Sequence, residues 1–112
     1  MNSKIIFLIL FISCFQFYCA GDNVSPVIEN IIAEPDSIAT GGSVQLICNA
    51  SDEEDNSLIY LWDCALGNIS SSNENDSAIW IAPNETGYFS ISCEVTDSNN
   101  GSAIQTINVK VL

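Results

Sequence analysis

The 112-residue sequence contains no histidine, and only two of its side chains, Lys4 and Lys110, are basic. Each absence closes off a class of chemistry. Without imidazole, a zinc or other transition-metal site loses its commonest nitrogen ligand, and a serine or cysteine nucleophile loses its usual base. With so few cations to displace counterions, a chain carrying 14 Asp and Glu and a net charge of −12 is repelled by DNA, RNA and anionic lipid. No catalytic residues and no nucleic-acid partner are expected, and the acidity is read first as a solvated surface. Helical periodicity is also missing. Beyond the N-terminal segment, no apolar run approaches the roughly 20 residues of a membrane span.

What is present begins with an export signal. Residues 1–19 start with a short basic region ending at Lys4, run apolar from Ile5 to Phe17 with only Ser13, Cys14 and Gln16 interrupting, and reach Cys19-Ala20-Gly21. A charged start, a short hydrophobic core and small residues after it are the parts of a signal peptide, with a retained membrane anchor as the alternative. Two cysteines are candidate lipid-attachment sites. Phe11-Ile12-Ser13-Cys14 resembles a bacterial lipobox in its last three positions, whereas Cys19 is better spaced and followed by small residues. Attachment at Cys19 or Cys14 predicts a lipoprotein, preferred here over free secretion by cleavage after Gly21. Either way the product is extracellular or held at the cell surface, its only membrane contact being the lipid. Residues 20–26 read as a short linker and 27–112 as one domain.

From Val24 onward, apolar residues recur at period two in short runs separated by Gly, Asn, Asp, Ser and Pro, the pattern of half-buried strands. Strands are expected over 27–33, 43–50, 58–64, 78–82, around 89–95, and at 107–111. Residues 67–77 read as loop, and Pro35 and Pro83 as strand stops. Val44, Leu46, Cys48 and Ala50 share one parity, as do Leu58, Tyr60, Trp62 and Cys64, then Phe89, Ile91, Cys93 and Val95. About seven short strands in some ninety residues predict an all-β, immunoglobulin-like Greek-key sandwich.

Cys48, Trp62 and Cys93, inward-facing on separate strands, resemble the immunoglobulin arrangement in which a disulfide between sheets packs on a tryptophan. The runs Ala50-Ser51-Asp52, Leu58 to Trp62, Gly87 to Asp97 and Asn100-Gly101 resemble a bacterial polycystic-kidney-disease-type (PKD) repeat over nearly the whole mature chain. Asp63-Cys64-Ala65-Leu66-Gly67 replaces the glycine-aspartate-glycine that often follows the PKD tryptophan, and Ile91 stands where an antibody domain has its corner tyrosine. The resemblance implies a Cys48–Cys93 disulfide, Trp62 as a core residue, and an extracellular module that spaces, adheres or binds proteins or glycans. Of the five cysteines, Cys64 is then a small buried thiol, or the partner of Cys19 where Cys14 carries the lipid.

Two further features bear on function. Asp52, Glu53, Glu54, Asp55 and Asp97 are candidate ligands for calcium, which prefers oxygen clusters. Their run lacks the spacing of a recognised calcium loop, so a solvated acidic loop and calcium-independent stability are the leading expectation. Ile59 and Leu61, and again Ile79 and Ile81, on parities opposite Trp62 and Trp80, are apolar where a lone sandwich places polar residues. The first reading is that loops or the termini cover them, the other that Ile59 and Leu61 mark a contact face. Six Asn-X-Ser/Thr sequences, at Asn23, Asn49, Asn68, Asn75, Asn84 and Asn100, are attributed to the abundance of Asn and Ser. The leading functional expectation is a non-enzymatic extracellular binding or adhesion module with a protein or glycan partner at the cell surface. The alternatives are a structural spacer or stalk unit and, more weakly, a calcium-dependent carbohydrate-binding module.

Overall fold

A computed structural model of the chain describes residues 24–54, 57–71 and 75–112. The expected signal peptide with Cys14 and Cys19, most of the 20–26 linker, and Asp55 lie outside these described residues. Eight strands form: β1 (Val27–Glu34), β2 (Ser37–Ile38), β3 (Ser43–Ser51), β4 (Leu58–Cys64), β5 (Asn68–Ser70), β6 (Ser77–Ile81), β7 (Gly87–Asp97) and β8 (Ser102–Val111). They divide into two four-stranded sheets, ordered β1-β3-β6-β5 and β2-β8-β7-β4. Among the described residues there is no helix.

Alternation of side chains along each strand builds the core between the sheets. Val44, Leu46 and Cys48 from β3 and Trp80 from β6 meet Ile91, Cys93 and Val95 from β7 and Val109 and Val111 from β8, all at most 1 % exposed. Burying each Val, Leu or Ile side chain contributes about 1.5–3 kcal/mol. Trp62, in β4, lies directly opposite Cys93 in the β4–β7 ladder and is 8 % exposed.

The first strand departs from strict alternation. A bulge between Ile28 and Asn30 shifts the β1–β3 register, so both Ile28 and Ile31 turn toward the core although they differ in parity. At Glu34-Pro35-Asp36 the chain leaves the first sheet, and Ser37 and Ile38 pair in parallel with Lys110 and Val111 of β8. Proline suits this crossing because it has no N–H to leave unpaired. Beyond it, Leu112 N donates to Ile38 O at 2.9 Å.

The expected loop over 67–77 is partly ordered: Asn68 to Ser70 pair with Ile81 to Ile79 of β6. The turn leading into β5 is held by Trp80, whose Nε1 donates to Leu66 O at 2.9 Å. Gly67 makes that turn possible. Its φ of +85° favours glycine, and a Cβ there would collide with the Ile81 carbonyl oxygen and the Trp80 indole.

Candidate functional site

Three groups of residues singled out in the sequence can now be placed. The first is the cysteine pair. Cys48 of β3 and Cys93 of β7 belong to different sheets, yet their free thiols are buried in the same core and interact with each other. Burial pushes the Cys93 thiol well up, with Cys48 adding to the effect. Cys48 is also raised by burial, and its interaction with Cys93 opposes that rise. Cys64 is half-buried and separate, its Sγ 3.8 Å from the Gly67 carbonyl oxygen; burial raises it and contact with Trp80 opposes the rise. Three thiols all shifted toward the protonated form are poor nucleophiles.

The second group lies on the outer face of the β2-β8-β7-β4 sheet. Ile59 and Leu61 project from β4 and are 46 % and 53 % exposed. Leu61 pairs with Glu94, which pairs in turn with Ile104 of β8, itself 66 % exposed. An aliphatic row therefore crosses the sheet around one carboxylate. Ile104 was not singled out from sequence, although its alternation with Ala103 and Gln105 carried the signal. Toward the other end of the face, Tyr88 is exposed beside Lys110, whose Nζ lies 5.8 Å from the ring centroid.

The third group is acidic. Asp52 follows β3, Glu54 lies in the loop after it, and Asp97 ends β7. The fold brings one ligand atom from each within 4.8 Å of the others. Asp52 and Asp97 are buried, at 9 % and 2 % exposed, whereas Glu53 and Glu54 are exposed. A solvated acidic loop thus describes the glutamates and not the two aspartates. Glu53 stands outside the cluster and borders a shallow depression with Val24, Ser25 and Val27.

The turn chemistry explains these positions. Asp97 Oδ1 accepts from Asn99 N at 2.9 Å and Gly101 N at 2.8 Å, closing the β7–β8 turn, where Asn100 takes a φ of 72°. Asp52 Oδ1 accepts from Glu54 N at 2.9 Å. Glu54 Oε1 accepts from Val24 N at 3.3 Å, tying the loop to the segment where the chain enters the domain. Asp52 Oδ2 is buried without a hydrogen-bond partner. Among the described residues Lys110 is the sole Lys or Arg, and it sits eight positions along β8 from Ser102, about 25 Å at the usual rise per residue.

No protein-family model and no curated protein matches the chain. Solved structures do. The PKD1 domain of Vibrio anguillarum Epp is 27% identical with a TM-score of 0.61, over 80% of this chain and 96% of that one. The PKD domain of an M14-like peptidase from Thermoplasmatales archaeon SCGC AB-540-F20 is 17% identical with a TM-score of 0.63, over 80% and 98%. A nucleoside hydrolase-related protein of Saccharophagus degradans, associated with carbohydrate metabolism, shares the fold at 23% identity and a TM-score of 0.63 over 80% of this chain, which spans 26% of that protein. Both PKD domains are matched over nearly their whole length, and the two sheets here have the strand order of an immunoglobulin-type sandwich. The described part of this chain is a PKD-type, immunoglobulin-like β-sandwich.

Proposed function

We propose that the protein is a non-enzymatic binding or adhesion module, exported and held at the cell surface, which engages a protein partner through the outer face of the β2-β8-β7-β4 sheet. The observation that carries this reading is the row Ile59, Leu61 and Ile104, three large aliphatic side chains left 46–66 % exposed on one sheet face. Exposed apolar groups gathered on one surface mark interaction sites more often than scattered ones do. Aliphatic rather than aromatic side chains favour a protein over a glycan, since sugar rings stack on aromatic faces. The net charge of −12 favours a partner with a basic rim, which electrostatic steering would bring in faster. The fold agrees with a modular role: one of the similar PKD domains is a part of an M14-like peptidase.

The test is binding to cells of the native host, and self-association, for the wild type against the double variant Ile59→Thr, Leu61→Thr. Loss of binding with an unchanged circular dichroism spectrum is the expected result. Unchanged binding removes this face from consideration, and absence of any binding by the wild type turns the reading to a structural spacer.

A further inference from the structure

The Asn-X-Ser/Thr sequences are more frequent than composition provides. The chain has 12 Asn, and 19 Ser and Thr among 112 residues, so random order places a hydroxyl residue two positions after about two of the asparagines; six are found. The abundance of Asn and Ser therefore accounts for a minority of them. None has proline in the middle position, the one residue such an acceptor sequence excludes. Asn23 lies outside the described residues; Asn68, Asn75, Asn84 and Asn100 are exposed, and Asn49 is half-buried.

Their placement is one-sided. Asn49 lies in β3 on the outward parity of Gln45 and Ile47, Asn68 lies in β5, and Asn75 stands two residues before Ser77, where β6 begins. All three belong to the outer face or rim of the β1-β3-β6-β5 sheet. Asn84 and Asn100 lie in the connections on either side of β7, so among the described residues no acceptor asparagine lies within a strand of the other sheet. The glycan-acceptor face also carries a second aliphatic patch. Ile32 pairs with Ile47, Ile79 lies between Gln45 and Ser70, and Ile81 lies between Ser43 and Asn68. These four isoleucines are 38–45 % exposed, so the described loops leave them open. Asn68 is directly opposite Ile81, and Asn49 is two residues along β3 from Ile47, about 7 Å at the usual rise.

We propose that Asn49, Asn68 and Asn75 carry N-linked glycans that cover the outer face of the β1-β3-β6-β5 sheet and leave the Ile59, Leu61 and Ile104 face bare. Such modification rests on the export proposed above, since these sequences are acceptors in secreted chains. In the transfer, Nδ2 loses a proton and bonds to the anomeric carbon of a lipid-phosphate-linked oligosaccharide, whose phosphate leaves; no oxidant or reductant is needed. The substituted amide keeps one N–H, so Asn49 can still donate to Asn30 Oδ1, 2.7 Å away. Asn75 is held by its other end, its Oδ1 accepting from Ser77 N at 3.3 Å and from Ser77 Oγ at 3.0 Å, which leaves Nδ2 for the sugar. Two sheets that pack face to face lie about 10 Å apart. Sugar chains anchored at opposite corners of the four isoleucines fill that gap and keep a second sheet from docking. On the edge strand β5, the chain at Asn68 also blocks edge-to-edge pairing.

The test is peptide mapping by mass spectrometry of the full chain from its native host, with fragmentation that keeps sugars on their asparagines. The N-terminal peptide reports export in the same map. Glycan mass is expected on at least two of the three sites in the processed chain. It should be lost from the site concerned in Ser51→Ala, Ser70→Ala and Ser77→Ala, which keep the asparagine, and retained in Ser51→Thr, Ser70→Thr and Ser77→Thr. The triple alanine variant should self-associate in gel filtration where the wild type does not, and adding Ile79→Thr and Ile81→Thr should reverse this. Should the triple variant fail to fold, enzymatic deglycosylation of the folded wild type gives the same comparison. Bare asparagines at all three sites in a processed chain overturn the proposal and leave the binding module standing; with an unprocessed N-terminus they overturn export as well. Glycosylated sites whose removal leaves association unchanged overturn the covering role.

Discussion

The thiols of Cys48 and Cys93 interact across the two sheets, with neither residue more than 1 % exposed. In an oxidising compartment this contact is expected to become a disulfide. Non-reducing peptide mapping of native material should recover the Cys48 and Cys93 peptides joined, with Cys64 outside the bridge; a Cys48–Cys64 pair would falsify this. Serine at both positions should cost about 2–5 kcal/mol, measured by denaturant unfolding.

The reduced protein should lose more stability in alkali than the bridged protein does. Burial first, and each other's presence second, hold Cys93 above the usual thiol value of 9.0, and burial also raises Cys48. Below that value folded and unfolded chains are both protonated and no penalty exists. Above it the unfolded chain ionises first, so folding is progressively disfavoured. Melting temperatures of the two redox forms should diverge between about pH 8 and pH 10. Tyr60 and Cys64, each raised first by burial, weaken both forms in alkali, so the divergence comes from Cys48 and Cys93 and from the small push they give Tyr60. Parallel curves would refute the account.

Gly67 and Gly41 separate backbone strain from collision. Both have positive φ, but a Cβ at Gly41 meets nothing within 4 Å, while at Gly67 it strikes the Trp80 indole and the Ile81 carbonyl. Gly41→Ala should cost about 1–2 kcal/mol, the left-handed penalty alone. Gly67→Ala should cost clearly more and disturb Trp80 fluorescence. Equal costs would mean that β5 yields freely.

The paired substitution of Ile59 and Leu61 by Thr should change stability by no more than about 0.5 kcal/mol, as ordinary surface changes do. Thr suits a strand and the inner face is untouched. A large loss in equilibrium unfolding would place these side chains in a core.

Strand β4 was legible to the residue because Leu58, Tyr60, Trp62 and Cys64 share one parity between the acidic 52–55 run and the turn before Gly67, even though Ile59 and Leu61 make the other parity apolar as well. The parity of β3 and β7 was legible for the same reason. Strands β2 and β5 were not: two and three residues long, they carry too little alternation, and their pairing comes from β8 and β6 far along the chain. The bulge in β1 was hidden because Ile28 and Ile31 fit neither parity alone. Of the acidic residues, the approach of Asp97 to the 52–55 run followed from the sandwich topology. Its burial did not, since an Asp before Ser-Asn-Asn-Gly reads as an exposed turn residue until the turn's N–H groups are seen to converge on it.

The parallel pairing of β2 with the end of β8 has a mechanical consequence. Val27 starts β1 beside Ser51, whereas Val111 ends β8 beside Ile38 and Gly87, so the chain enters and leaves at opposite poles. A pull on the two ends drives β2 one way and β8 the other, along their own axes. The bonds at that junction, Leu112 N to Ile38 O and Lys110 N to Asp36 O, lie across the force and are loaded in shear together rather than peeled singly. Tension applied between the two ends of the domain would therefore meet its first resistance where the shortest strand of the fold grips its last.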